Sequence, residues 1–261
     1  MDHQFSGHVA VITGAGTGIG AATAHRFAAD GYTVVLVGRT EATLKQTAQT
    51  GPDAACMHPR VADVSDAAAV AAVMDEAAER FGRLDVLVNN AAVAMPGTVD
   101  RIDVDSYRTM LATNVDGVFF ASRAALPHLE AVQGCIVNVG SVAGLRGEWN
   151  QAAYNMTKGA VTSLTNSMAL DHGQRIRVNA VHPGLTLSRP YYRDAMAEGT
   201  ALQRRFADRV PMRRAGEPAE VAAVIAFLAG PDAAYVNGAH ITVDGGLTAS
   251  DGQTNLYAVD A

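Results

Sequence analysis

Short β-branched runs alternating with longer Ala-rich stretches predict an α/β chain, a single doubly wound domain whose parallel sheet holds about seven strands. Three observations carry that prediction. The β-branched runs are apolar at consecutive positions, which marks strands covered by helices on both faces. The alternation persists along nearly the whole chain. No repeat or low-complexity linker divides the 261 residues, so residues 1–261 read as one domain.

The elements follow in order. Val9-Ala10-Val11-Ile12-Thr13 reads as a strand, and Ile19 to Asp30 as a helix closed by Gly31. Thr33 to Val37 is a second strand, followed by a helix from about Glu41 to Gln49. A third strand ends near Val61, and Ser65 has the side chain to cap a helix running to Arg80. Leu84 to Val88 is the fourth strand, and a helical stretch in two pieces covers Val104 to Leu129. Cys135 to Val139 and Ile176 to Val181 are strands, with Ile241-Thr242-Val243 a final one before Asp244-Gly245-Gly246. Residues 185–214 are polar and Pro-interrupted where a tight turn would suffice, which predicts a substrate loop. The tail, residues 247–261, is weakly patterned and reads as frayed or docked on another subunit.

Composition narrows the function. Hydrophobic residues make up 49% and charged residues 18%, a globular balance and not a disordered one. A net charge of −6 argues against nucleic-acid binding, which calls for a basic face. Two cysteines, Cys56 and Cys135, are too few for a disulfide framework and suit a reducing compartment. Residues 1–7 lack a signal-peptide pattern, and no apolar run approaches the ~20 residues of a membrane span. The expectation is a cytoplasmic protein off the membrane. His and Cys residues show no metal-ligand spacing, so no catalytic metal is expected.

Tyr154 and Lys158 stand four residues apart, a spacing that places both on one helix face. A free phenol titrates near pH ~10, and about 4 kcal/mol of preference for phenolate is needed to bring it to neutrality. A positive charge ~4 Å away at an effective dielectric of ~20 supplies a similar amount. The pair is thus a candidate acid/base at neutral pH. Thr13-Gly14-Ala15-Gly16-Thr17-Gly18-Ile19-Gly20 directly follows the first strand and opens the first helix. Glycines there admit a close ligand, and free N–H groups at the helix start favour a pyrophosphate. Ile19 breaks the strict dinucleotide spacing, but the placement after strand one favours nucleotide binding. At the end of the second strand, NAD binders carry a carboxylate for the ribose 2′-hydroxyl. Here Val37-Gly38-Arg39-Thr40 offers no acid before Glu41, and Arg39 suits a 2′-phosphate. NADP(H) is favoured, with NAD(H) possible and Arg39 as a mere surface cover for adenine the alternative.

Together these residues resemble the short-chain dehydrogenase/reductase family over residues 5–248. Thr13 to Gly20, with Gly14, Thr17, Gly18, Ile19 and Gly20 against the cofactor, matches the family's Thr-Gly-x-x-x-Gly-x-Gly loop. Asp63-Val64 matches the pair that faces adenine. Asn89-Asn90-Ala91-Ala92 matches the Asn-Asn-Ala-Gly motif except at Ala92, leaving Asn90 and Ala91 as cofactor residues. Asn114, Ser141, Tyr154 and Lys158 match the catalytic set in order and spacing, with Gly140 where the family often has a serine. Pro183-Gly184 matches the turn after strand six, and Ser188 replaces a carboxamide-binding threonine.

The resemblance implies a Rossmann-type fold and hydride exchange with a small-molecule ketone or secondary alcohol. Tyr154 would pass the proton and Ser141 would hydrogen-bond the reacting oxygen. Lys158 would depress the Tyr154 pKa and hold the nicotinamide ribose, and Asn114 would support a water-borne proton path. It also implies a homotetramer built on the Val104–Leu129 and Tyr154–Leu170 helices. A 3-oxoacyl-thioester reductase and an NAD(H)-dependent alcohol or diol dehydrogenase are the alternatives within the class; a non-catalytic nucleotide sensor is the one outside it. Two further features stay open in the sequence. Trp149, Tyr191 and Tyr192 either wall a substrate pocket or pack internally. Arg204, Arg205, Arg209, Arg213 and Arg214 either attract an anionic substrate or form a solvated face or subunit contact.

Overall fold

A computed structural model of the chain describes residue 5 and residues 7–251. Seven strands form one sheet: β1 (Val9–Thr13), β2 (Thr33–Gly38), β3 (Met57–Val61), β4 (Val86–Asn89), β5 (Cys135–Val139), β6 (Arg177–Pro183) and β7 (His240–Val243). The helices are α1 (Gly18–Ala29), α2 (Glu41–Thr50), α3 (Ala67–Phe81), α4 (Val104–Leu111), α5 (Gly117–Val132), α6 (Ala152–His172), α7 (Pro190–Ala195), α8 (Ala201–Ala207) and α9 (Pro218–Ala229). The strand order is β3-β2-β1-β4-β5-β6-β7, and every neighbouring pair is parallel. This is the doubly wound sheet the sequence predicts.

Burial explains why these segments are strands. β1, β4 and β5 are buried at every position, so both faces of the sheet must be covered. One core gathers Phe27, Leu36 and Ile225 beneath α1 and α9; the other gathers Met74, Leu87 and Leu129 beneath α3 and α5. The winding reverses between β1 and β4, so the loops leaving these two strands diverge and open a crevice at the carboxyl edge. Thr13 ties the crevice together. Its hydroxyl accepts from the backbone N–H groups of Asn90 and Ala91, at 3.0 and 3.1 Å.

The structure corrects or extends the remaining expectations. The cap of α3 is Asp66 and not Ser65: the Asp66 carboxylate accepts from Ala68 and Ala69 N–H at 2.9 and 3.1 Å. A carboxylate accepts two such bonds and suits the positive end of a helix. Ser65 is committed elsewhere, its N–H and hydroxyl both donating to Asp63 Oδ1. The 104–129 stretch does fall in two pieces, but the joint is a π-helical turn over Ala112–Asp116, and α5 runs on to Val132. Residues 185–214 hold two short helices, α7 and α8, within the expected loop. Helix α9 is absent from the sequence-based order of elements, yet its Val221, Ala222, Ile225 and Leu228 are all buried. Within the tail, Leu247–Ala249 forms a single 3-10 turn, and residues 252–261 lie outside the described residues. No described helix is long and apolar enough to cross a membrane.

Candidate active site

The site lies where the loops after β1, β4, β5 and β6 converge. The first of these runs from Gly14 to the start of α1. Gly14 and Gly18 have φ of 65° and 56°, left-handed values that disfavour any side chain. Each is also crowded: a Cβ at 14 would lie 2.8 Å from Ala91 Cα, and one at 18 would lie 2.8 Å from Ser188 Cβ. Thr17, the N-cap of α1, makes no side-chain bond to the helix. Among the described residues no side chain caps α1, so the donors at its start can receive a pyrophosphate. The loop fits the group the motif implies.

Around that loop the expected cofactor residues assemble. Asn90 donates from Nδ2 to the carbonyls of Thr13 and Gly14, at 2.9 and 3.1 Å, and so clamps the glycine turn. Ser188 sits directly on Gly18. Gly184 N–H donates to Val243, and Pro183 ends β6 in the buried interior. Val64 is buried, whereas Asp63 holds Ser65, whose N–H and hydroxyl keep its carboxyl below the usual range. Arg39 reaches Asp63 at only 3.9 Å, its own side chain largely exposed and that of Asp63 partly so. Asp63 therefore neighbours the arginine expected to read the 2′ position.

On the side of the candidate catalytic set, Ser141 caps a 3-10 turn, its hydroxyl accepting from Ala143 N–H at 3.1 Å. The same hydroxyl faces the Tyr154 phenol. Lys158 is buried, and its Nζ donates to the Val139 carbonyl at 2.8 Å. Burial pulls this ammonium down to about 8. Its Nζ stands 5.8 Å from the centroid of the Tyr154 ring.

The expected depression of the tyrosine is not what this arrangement produces. Burial pushes Tyr154 up to about 12; the Ser141 hydroxyl opposes the rise, and Glu148 and Tyr192 add to it. Spacing on the helix brings Tyr154 and Lys158 to one face, but desolvation of the phenolate outweighs a lysine whose ammonium is turned to Val139. In the protein alone Tyr154 is a neutral phenol, ready to donate.

Asn114 is wholly buried in the π-turn. Its Oδ1 accepts from Val93 N–H at 2.8 Å, and its Nδ2 donates to Val93 O at 2.8 Å and Thr157 Oγ1 at 3.1 Å. The side chain is thus a clamp between the loop after β4 and α6. Thr157, which sequence reasoning did not single out, sits between Tyr154 and Lys158 and fixes their turn. Trp149 and Tyr191 are exposed, which excludes internal packing, while Tyr192 lies near the Tyr154 phenol. Of the five arginines, Arg214 pairs with Glu220, and all five are exposed.

A glycine loop and a Ser–Tyr–Lys set facing one another across a switch point define an NAD(P)-dependent oxidoreductase. A family model described as enoyl-(acyl carrier protein) reductase matches residues 14–248. A meso-2,3-butanediol dehydrogenase of Serratia marcescens is 46% identical, covering 97% of this chain and 99% of its own. A 2-(R)-hydroxypropyl-CoM dehydrogenase of Xanthobacter autotrophicus is 41% identical over 92% and 98%. Among solved structures, the ligand-free aldohexose dehydrogenase of Thermoplasma acidophilum superposes with a TM-score of 0.86 at 29% identity, covering 97% of this chain and 98% of its own. The chain belongs to the short-chain dehydrogenase/reductase family, among its enzymes that act on CH–OH groups.

The neutral state of Tyr154 is open to measurement. In cofactor-free protein, phenolate absorbance followed upward from neutrality to about pH 10 should trace the same curve for wild type and Tyr154→Phe. A tyrosinate appearing earlier in wild type alone contradicts the balance described for this residue.

Proposed function

We propose that the chain is an NADP(H)-favouring dehydrogenase that interconverts a secondary alcohol and its ketone, with Tyr154 as the group that passes the proton. The observation that carries this reading is the Ser141 hydroxyl set against the Tyr154 phenol beside buried Lys158. When bound, the nicotinamide supplies or accepts hydride. Tyr154, neutral in the protein, donates its proton to the carbonyl oxygen in the reductive direction. Ser141 donates a hydrogen bond to the same oxygen as charge develops there. Lys158 spends one of its three donors on Val139, leaving two for a ribose and for a water path that returns the proton to Tyr154. Asn114 keeps α6 at a fixed distance from the loop after β4 through its bonds to Val93 and Thr157.

The relatives support the substrate class. They are named for butanediol, hydroxypropyl-CoM, hydroxycyclohexanecarboxylate and galactitol, which share a secondary carbinol and little else. Small diols and hydroxyketones are the first substrates to try, because a butanediol dehydrogenase has the 46% identity. The 3-oxoacyl-thioester reading stays second, supported by the family model's description.

Arg39 supports the cofactor preference: no acid occupies the end of β2, and the guanidinium is held only loosely by Asp63. Apolar side chains left exposed on these helices support a homotetramer: Val104 on α4, Phe119 on α5, and Met156 and Leu170 on α6.

Three measurements test these readings. On a panel of meso-2,3-butanediol, acetoin, 2-propanol and cyclohexanol, Tyr154→Phe should lower turnover by about three or more orders of magnitude while cofactor affinity holds. Near-wild-type turnover in that variant refutes the proton-transfer role. Arg39→Ala should erase most of the preference for NADP(H) over NAD(H), and an unchanged ratio removes Arg39 from the 2′ site. Light scattering should give four times the chain mass, and a monomer contradicts the α4–α6 interface.

A further inference from the structure

One buried polar cluster beside the site has no part in the chemistry above. His182, on β6, is fully buried, and its Nδ1 lies 3.0 Å from the carbonyl oxygen of Ser141. Its Nε2 lies 2.9 Å from Nδ1 of His240 on β7, the two rings 5.1 Å apart. His240 Nε2 in turn lies 2.7 Å from Oδ1 of Asn166, an exposed residue of α6. Three contacts therefore run in line from the surface of α6 to the peptide of Ser141.

Gly140 makes room for that line. A Cβ at this position would lie 2.5 and 2.6 Å from Nδ1 and Cε1 of His182, so the serine that the family often carries there would strike the imidazole. The departure at 140 and the histidine at 182 are thus one feature. Burial draws His182 down to about 4, and burial also holds His240 below its ordinary value. Each neutral imidazole has one N–H. A carbonyl only accepts, so His182 carries its proton on Nδ1 and accepts at Nε2 from Nδ1–H of His240. His240 Nε2 then needs a donor, which the Asn166 amide provides when it turns over and exchanges Oδ1 with Nδ2. The Ser141 carbonyl also accepts from Gly144 N–H at 2.9 Å, so both of its lone pairs are taken.

We propose that His182, backed by His240 and Asn166, is a positioning residue for Ser141: it locks the Ser141 peptide so that the hydroxyl stays aimed at the reacting oxygen. This rests on the role given to Ser141 above, and the test separates the two. With the best substrate of the panel, His182→Phe should lower kcat about 10–100-fold with KM nearly unchanged. His182→Asn, whose Nδ2 takes the place of Nδ1–H, should recover about tenfold of that loss. In a Ser141→Ala background His182→Phe should cost about twofold or less, because its effect passes through a hydroxyl no longer there.

A full additional loss in that background, or no recovery with Asn, overturns the proposal. Should Ser141→Ala itself keep wild-type turnover, the role of Ser141 falls first and this one with it. If His182→Phe fails to fold, His240→Phe breaks the line one step further out and should show a smaller kcat loss with the same dependence on Ser141. Nitrogen-15 spectra of histidine-labelled protein give a readout without turnover: the proton of His182 should sit on Nδ1, and the Nε2–H tautomer overturns the assignment.

Discussion

A lysine ammonium buried without a carboxylate partner among the described residues is the constraint around which this site is arranged. Taking a cation out of water costs several kcal/mol unless polar groups replace its hydration. The Val139 carbonyl, at the carboxyl end of β5, is the replacement the protein provides. That bond ties α6 to the end of β5, with Tyr154 one turn earlier on the same helix. That tyrosine is held neutral chiefly by its own burial, which strips water from the phenolate.

Buried amides add further bridges around this lysine, although Asn89 Oδ1 itself has no partner among the described residues. Asn89 and Asn138 are partners across β4 and β5, and the Asn89 amide donates to Asn138 and to Ser122 on α5. Asn138 passes the ladder to Thr165 on α6 at 2.9 Å. Asn114 does the same further along, joining Val93 to Thr157. Polar side chains inside a sheet-and-helix core are costly when unpaired and directional when paired, so these two bridges fix where α6 can sit. Helix and strand are aligned by amides, and Tyr154 and Lys158 ride on that alignment.

Much of this was legible in the sequence. Consecutive apolar positions gave the parallel sheet because strands buried on both faces cannot alternate. The glycine loop, Asn90, Ser141, Tyr154 and Lys158 were legible because chemistry restricts those positions to few residue types. Other parts were hidden for physical reasons. Helix α9 is apolar on nearly every side, so no polar stripe announces a helical period. Ser65 and Asp66 are both good caps, and only the competing bond to Asp63 decides between them. The direction of the Tyr154 shift could not be read from spacing, because it depends on which way a lysine four residues on turns its ammonium. In the sequence His182 merely follows the Ile176–Val181 run ahead of a proline; its partners at 141 and 240 are far away in the chain.

The π-turn at Ala112–Asp116 has a consequence for how this chain can vary. There the N–H of Gly117 bonds back five residues to Ala112, so the segment holds one residue more than an α-helix of the same rise. Deleting one of those five would let the ladder close in the ordinary way with both arms on nearly their old faces, but it would remove the widened turn that seats Asn114. The amide of Asn114 would then leave Val93. The length of this stretch is therefore tied to the one side chain that needs it, and an insertion or deletion there would be felt as a lost clamp between the loop after β4 and α6 long before it was felt as an altered surface.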